Sequence, residues 1–254
     1  DMRIHLRLDR GEAILSLDLS GSSLHQRGYR LQQGAAPLKE NLAAAILIRA
    51  GWPRMAAEGA ALADPMCGVG TFLVEGAMIA ADMAPNLNRI HWGFDAWLGH
   101  VPAIWKKLHQ QATERAEAGM SKPPLWIRGY EADPRLIQPA RNNIERAGLS
   151  HWIKIYQGEV ATFEPRPDQN QKGLVICNPP YGERLGDASE AASLARTLGQ
   201  VWQAHPAQGL YAITADADFE QHFGKKAARR RKIYNGMIPC QLYMYFEQPK
   251  RERK

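Results

Sequence analysis

Apolar and polar residues alternate along residues 3–8 and again along residues 12–19, which is the period of a strand. The stretch between these runs, Asp9-Arg10-Gly11, is rich in turn-forming residues. The pattern therefore predicts an N-terminal β-hairpin.

Beyond the hairpin, short apolar runs alternate with stretches of helical period. The predicted strands cover residues 60–63, 125–130, 152–156, 173–177 and 209–214, and the predicted helices cover residues 38–50, 71–83, 134–147 and 189–204. A last pair of strands is predicted near residues 232–234 and 241–246. Such alternation predicts a mostly parallel sheet with helices on both faces. Residues 84–124 interrupt it, and we interpret them as an insertion with one helix at 102–118.

The amino-acid composition indicates a cellular compartment, and it shows that positive charge is unevenly distributed along the chain. The three cysteines are far apart and form no CxxC pair, which favours a reducing cytoplasm and no disulfide or structural zinc. No run of residues has the length and apolarity of a membrane span, and the histidines show no metal-ligand spacing. The net charge is +6, but residues 225–254 hold ten Lys or Arg and two Glu, a net +8, which leaves −2 for residues 1–224.

The glycine-containing loop Asp64-Pro65-Met66-Cys67-Gly68-Val69-Gly70-Thr71 lies between a predicted strand and a predicted helix. Glycines there allow a ligand to approach the backbone, and the helix N-terminus favours anionic or polar ligand groups. A dinucleotide fingerprint needs a third glycine, and Leu73 occupies that position. This argues against a nicotinamide or flavin oxidoreductase.

Acidic residues follow three of the predicted strands. Asp64 and Glu131 come directly at strand ends, and Glu159 ends the next strand unit. Carboxyl ends of parallel strands meet at one edge of the sheet, where such sheets bind ligands. An adenosine ligand on such a sheet needs a carboxylate at the end of the second strand, which accepts hydrogen bonds from the ribose hydroxyls. We expect Glu131 to be this carboxylate in preference to Asp82, which lies within a helical pattern. The alternative is that these acids are helix N-caps or solvated loop residues.

Asn178-Pro179-Pro180-Tyr181 ends the fourth predicted strand of the series. Both residues before a proline favour extended backbone, so the segment is stiff and presents the Asn178 side-chain oxygen and the Pro179 carbonyl as acceptors. Two fixed acceptors suit a planar amino group, and Tyr181 could stack on the base that carries it. The alternative is an Asn-Pro turn that closes a strand.

The combination of DPMCGVGT with NPPY resembles the S-adenosylmethionine-dependent amino-methyltransferases. The stretches LHQRGYR, APLKENLAAAIL and NPPYGERL are similar to the THUMP-associated subgroup that methylates guanine N2 in bacterial 23S ribosomal RNA. This resemblance covers nearly the whole chain. It implies a Rossmann-like class I methyltransferase, an α/β fold with a mostly parallel seven-stranded sheet, an antiparallel final strand and the preceding hairpin.

The resemblance also implies roles for individual residues. The catalytic set is Asn178, Pro179, Pro180 and Tyr181, and the S-adenosyl-L-methionine set is Asp64, Met66, Cys67, Gly68, Gly70, Thr71, Glu131, Ala132, Glu159, Val160 and Asn178. Related proteins commonly carry Asp where this chain has Glu131 and Glu159, and both substitutions keep acceptor chemistry. No metal is implied.

Two groups of residues are candidates for RNA contacts. Arg27, Tyr29 and Arg30 precede the catalytic fold and either line an entrance or form a structural clasp. Arg184, Arg229, Arg230 and Arg231 are basic, and the last three belong to the C-terminal cluster. Such a cluster attracts phosphate backbones, although a solvated loop is the alternative.

We expect residues 1–36 to form the hairpin and RGYR segment, packed on a methyltransferase domain of residues 37–254. The chain is interpreted as an excised catalytic domain with a THUMP domain, and in some proteins a second methyltransferase, elsewhere in the full-length chain. The resemblance implies 23S ribosomal RNA as its partner. Two alternatives stay open: an adenine-N6 methyltransferase and a catalytically silent RNA-binding module.

Overall fold

A computed structural model describes residues 2–30, 38–164, 173–180, 188–205 and 209–246. The strands are β1 (Arg3–Asp9), β2 (Glu12–Asp18), β3 (Ala61–Asp64), β4 (Ile127–Glu131), β5 (Ile153–Gln157), β6 (Gly173–Cys177), β7 (Gly209–Thr214), β8 (Arg229–Asn235) and β9 (Ile238–Tyr245). The helices are α1 (Glu40–Arg49), α2 (Trp52–Ala57), α3 (Thr71–Ala80), α4 (Pro102–Met120), α5 (Pro134–Arg146), α6 (Ala188–Ala204) and α7 (Phe219–Phe223), with a 3₁₀ turn at Val160–Thr162.

Seven strands form one sheet in the order β5-β4-β3-β6-β7-β9-β8. Strands β3 to β7 pair in parallel, and β9 runs antiparallel between β7 and β8. The predicted mostly parallel seven-stranded sheet with an antiparallel final strand is therefore confirmed, as is the preceding β1–β2 hairpin.

Helices cover both faces of this sheet because its central strands are apolar on both sides. Every residue of β3 and β6 is buried. One core contains residues of α1, α2, α3 and α5, and a second core contains residues of α6, α7 and the 3₁₀ turn. The sheet is thus the middle layer of a three-layer structure.

The β1–β2 hairpin, which we call the N-terminal hairpin, is exposed along both strands. Register places Ile4 opposite Leu17 and Leu6 opposite Leu15, so large aliphatic side chains share one face. Its base is tied to the insertion, since Phe94 N–H donates to the Leu19 carbonyl (3.2 Å). The predicted division at residues 36 and 37 falls outside the described residues and stays a prediction.

Two short helices were not predicted. The predicted helix over residues 38–50 is followed by no second helix in the prediction, yet α2 begins at Trp52 with proline in its first turn, where the missing N–H costs nothing. The second is α7, which has only five residues. Within the described residues, no helix is both long and apolar enough to cross a membrane.

Candidate cofactor and catalytic site

The carboxyl ends of the parallel strands bring together the predicted polar residues. Asp64 is the last residue of β3, Glu131 is the last residue of β4, and Asn178 directly follows β6. These three strands are neighbours in the sheet. From β3 the chain proceeds outward to β4 and β5 and then returns to β6 on the other side. Asp64 and Asn178 therefore flank the topological switch point, the usual ligand crevice of such sheets.

The loop between β3 and α3 depends on two glycines with left-handed backbone. Gly68 has φ +53° and Gly70, the residue before α3, has φ +85°. The Gly70 N–H donates to the Cys67 carbonyl (2.8 Å), and the Cys67 N–H donates to the Tyr130 carbonyl on β4 (2.9 Å). The loop is therefore a tight turn fixed to the neighbouring strand, and it leads directly into the N-terminus of α3.

Glu131 fixes the same loop from the side. One carboxylate oxygen accepts the Gly68 N–H at 2.8 Å, and the other accepts the Asp133 N–H at 3.0 Å. Each oxygen retains a second lone pair. Glu131 can thus order the loop and still accept hydrogen bonds from a ligand at the sheet edge.

Asp64 is only 2% exposed and accepts a hydrogen bond from the Met66 N–H at 3.0 Å. Burial raises the pKa of this carboxyl well above its usual value, and the nearby charge of Glu131 raises it further. Burial also raises the pKa of the Cys67 thiol. Cys67 is therefore a protonated thiol packed in the core, which agrees with a role as a small hydrophobe.

The side chain of Asn178 contains a buried oxygen atom without a hydrogen-bond donor beside it in the described part of the chain. Its side-chain Oδ1 is buried and has no hydrogen-bond partner among the residues that the structure describes. An unsatisfied buried polar atom costs about 1–3 kcal/mol, and among the five such side-chain atoms of the described residues Asn178 Oδ1 is the one that directly follows β6 at the switch point. Pro179 is buried and Pro180 half-buried. Tyr181 and Arg184 lie outside the described residues.

The remaining predicted cofactor residues lie along the same edge. Thr71 is buried at the start of α3, and Met66 is half-buried in the loop. Ala132 and Glu159 are exposed, whereas Val160 is buried at the start of the 3₁₀ turn. Asp82 lies past the end of α3, away from any strand end, and forms an ion pair with Arg115 (2.5 Å). This placement agrees with the preference for Glu131.

Arg27, Tyr29 and Arg30 lie inside the protein. The Arg27 guanidinium and the Tyr29 hydroxyl both donate to Glu75 of α3, at 3.4 Å and 3.2 Å. Arg30 pairs with Glu40 at 2.8 Å, and its side chain is 4% exposed. These contacts favour the structural clasp over an RNA contact for all three residues. Glu75 could have been found in the sequence, because a lone Glu within the apolar run TFLVEGAMIA needs a buried partner.

Arg229, Arg230 and Arg231 lie on β8, at the outer edge of the sheet, and all three are exposed. Arg230 pairs with Glu220 of α7 at 3.0 Å. The basic cluster is thus an ordered strand over these residues and not a solvated loop. Within the described residues, no group of three or more His, Cys, Asp or Glu is placed to hold a metal ion.

A sheet of this order, with a glycine loop after its central strand and acids at the next strand ends, defines the class I methyltransferase fold. Residues 27–244 match the family model described as RMKL-like, methyltransferase domain. The chain belongs to this family.

Named relatives agree with this assignment. The chain is 73% identical over 245 residues, 96% of its length, to the ribosomal RNA large subunit methyltransferase K/L of Pseudomonas fluorescens Pf0-1, and covers 32% of that protein. It is 70% identical over 250 residues, 98% of its length, to the protein of that name from Pseudomonas putida W619, and covers 34% of it. The chain therefore spans about a third of the length of these relatives.

Two solved structures share the whole architecture. SMU.472, described as a putative methyltransferase complexed with SAH, has a TM-score of 0.86 and 35% identity, over 98% of this chain and 62% of that one. A protein from Listeria monocytogenes, described as a predicted N6-adenine-specific DNA methylase, has a TM-score of 0.84 and 36% identity, over 97% of this chain and 61% of that one.

Proposed function

We propose that this chain binds S-adenosyl-L-methionine and catalyses transfer of its methyl group to the exocyclic N2 amine of a guanine in 23S ribosomal RNA. The observation that carries the proposal is the buried, unsatisfied Oδ1 of Asn178 beside the switch point of the sheet. The large-subunit ribosomal RNA methyltransferase names of the relatives support the choice of RNA.

The residues at the edge fit this cofactor. Asp64 offers a buried carboxylate that an ammonium group would satisfy, Glu131 offers acceptors for ribose hydroxyls, and the glycines leave room for backbone approach. The helix terminus at Thr71 adds N–H donors for a carboxylate. Glu159 and Val160 follow the next strand and would flank the adenine. The SAH complex of SMU.472 supports the same ligand class.

S-adenosyl-L-methionine supplies a methyl group that is already electrophilic, so the chain has to position and orient its substrate. Asn178 Oδ1 and the Pro179 carbonyl would each accept one N–H of the amine. Holding both protons in this way favours a pyramidal nitrogen with its lone pair directed at the methyl group. The proton leaves after transfer, when the nitrogen is far more acidic. A base inside a duplex must leave its stack to reach this site.

We also propose that the full-length protein contains further domains, because the relatives are about three times longer than the chain. We infer a THUMP domain and a second methyltransferase among them. Support comes from the N-terminal hairpin, where Leu6, Leu8 and Leu15 are 60%, 75% and 72% exposed. Such a face is costly to leave in water and fits contact with another domain. The cytoplasm is the proposed compartment, since ribosomal RNA is modified there.

The proposal is tested with unmodified 23S ribosomal RNA and methyl-labelled S-adenosyl-L-methionine, followed by digestion to nucleosides and mass spectrometry. Label in N2-methylguanosine is the expected result. Label in N6-methyladenosine would mean that the same site acts on adenine and not on guanine. The description of the Listeria structure favours that outcome. Failure to bind the cofactor would overturn the proposal.

A further inference from the structure

The β8–β9 hairpin, which we call the C-terminal hairpin, extends past the carboxyl edge of the sheet. Cys177 of β6 lies level with Ala212, Ala212 with Tyr243, and Tyr243 with Arg230 of β8. Asn178 is one residue further along, so Arg231 marks its level on β8. Tyr234 is three residues beyond that level, which is about 10 Å at the rise of a strand.

The tip of this hairpin holds large side chains in solvent. Tyr234 is 57% exposed, Met237 is 94% exposed and Ile238 is 37% exposed. The register pairs Ile238 with Asn235, on the face opposite Tyr234, so the exposed ring of Tyr234 is the large side chain that this face of the tip presents to solvent.

The Tyr234 ring stands at the end of a row of positive charge on its face of β8. Side chains two residues apart on a strand share a face, so Arg230, Lys232 and Tyr234 lie in line and lead toward the carboxyl edge. The Lys232 ammonium lies 5.7 Å from the centroid of the Tyr234 ring. The two cations in this row differ in their partners. Arg230 forms an ion pair with Glu220, whereas the ion pairs among the described residues include none for Lys232.

We propose that the C-terminal hairpin binds a single-stranded RNA segment beside the target nucleotide, with Tyr234 stacking on an unpaired base and Lys232 contacting a phosphate. This inference rests on the proposed function and adds a substrate-binding surface to it. Aromatic side chains next to cations are the common platform for single-stranded nucleic acid, because every base offers a face for stacking.

The position of the hairpin suits this role. Strand β8 is three strands from β6 in the sheet, about 15 Å at ordinary strand spacing, and Tyr234 lies about 10 Å further along its strand, which together make a separation of about 18 Å from Asn178. That separation is within reach of a few nucleotides on either side of a base held at Asn178. In a single-stranded segment, a base a few nucleotides from the target is free to stack on an exposed aromatic ring.

The test compares Tyr234→Ala, Tyr234→Phe and Lys232→Gln by the affinity for a short unstructured oligoribonucleotide, measured by fluorescence anisotropy. Tyr234→Ala should weaken binding about tenfold or more, while Tyr234→Phe should stay close to wild type because it keeps the ring. Lys232→Gln should lower the salt dependence of binding. Lys154→Gln, an exposed lysine on the opposite edge strand β5, is the matched control and should change neither quantity.

Affinity for S-adenosyl-L-methionine, measured by calorimetry, should stay at the wild-type value in all four variants. Equal RNA affinity of Tyr234→Ala and wild type would overturn the inference. That result is distinguishable from failure of the proposed function, which would appear as absent N2-methylguanosine in wild type. An equal loss in Tyr234→Phe and Tyr234→Ala would also overturn it, because stacking would then not be the cause.

Discussion

At the residue scale, Asp64 combines a binding role with a cost in stability. Burial raises the pKa of its carboxyl, so the folded protein binds this proton more tightly than the unfolded chain does. Its contribution to stability is therefore greatest below the ordinary carboxyl pKa and falls as pH rises toward the folded-state value. A buried carboxylate at neutral pH is destabilising, and the bound cofactor would offset that effect.

We expect Asp64→Asn to raise the melting temperature of the ligand-free protein at neutral pH and to weaken S-adenosyl-L-methionine binding about tenfold or more. The amide oxygen can still accept the Met66 N–H, so the loop should keep its shape. Thermal melts between about pH 5 and 8 together with calorimetric titration check both parts. Unchanged cofactor affinity would remove Asp64 from the binding site.

At the scale of elements, the clasp between the N-terminal segment and α3 is a buried ion pair. The side chains of Arg27 and Glu75 are 9% and 4% exposed. Burial raises the pKa of the Glu75 carboxyl, although Arg27 opposes that rise. Removing the cation alone leaves a buried carboxylate without its counter-charge, which is more harmful than removing both charges.

Arg27→Met should therefore destabilise the protein by about 3–5 kcal/mol in urea unfolding, and the double variant Arg27→Met/Glu75→Gln should be destabilised less. Arg54→Met is the matched control, because Arg54 and Glu58 form an exposed pair with side chains 83% and 61% exposed. The control should cost at most about 0.5 kcal/mol. Equal effects of Arg27→Met and Arg54→Met would show that the clasp contributes little.

The helices and strands show which parts of the fold sequence patterns can predict. Alternation and apolar runs predicted the strands of the sheet, because burial on both faces leaves little room for other residues in β3 and β6. They did not predict α2 or α7, since one begins at a proline that also signals a helix end and the other is too short for periodicity. The number of strands and the antiparallel direction of the last one entered through resemblance, and the strand order came only with the structure, because a pattern gives no partner for a strand.

For the candidate site as well, the sequence predicted some features and missed others. The common edge of Asp64, Glu131 and Asn178 could be predicted because each follows an apolar run, while their binding and catalytic roles stay predictions. The hydrogen bond from Gly68 to Glu131 was not, since it joins residues separated by 63 positions. Glu40 and Glu75 were also missed as partners of the arginine segment, because long-range pairs depend on how helices pack.

For the whole molecule, charge is concentrated where the C-terminal hairpin lies. Residues 225–246, which include the hairpin, hold six Lys or Arg and no Asp or Glu, in a chain whose total net charge is +6. Replacing Arg229, Arg230 and Arg231 together by Gln should reduce the slope of log affinity against log salt by about 0.7 for each phosphate that is no longer neutralised. Gln at Arg54, Lys106 and Lys154, three exposed cations elsewhere, is the control. An unchanged slope in the first variant would mean that the cluster does not bind RNA.

The central claim is that Asn178 holds the amine that accepts the methyl group, and Asn178→Ala tests it most directly. Cofactor affinity by calorimetry and single-turnover methyl transfer to 23S ribosomal RNA should be measured on the same preparation. We predict that affinity changes less than about threefold while the transfer rate falls at least about a hundredfold, because one aligned acceptor is removed where charge develops. Near wild-type transfer by a variant that binds the cofactor normally would contradict the account.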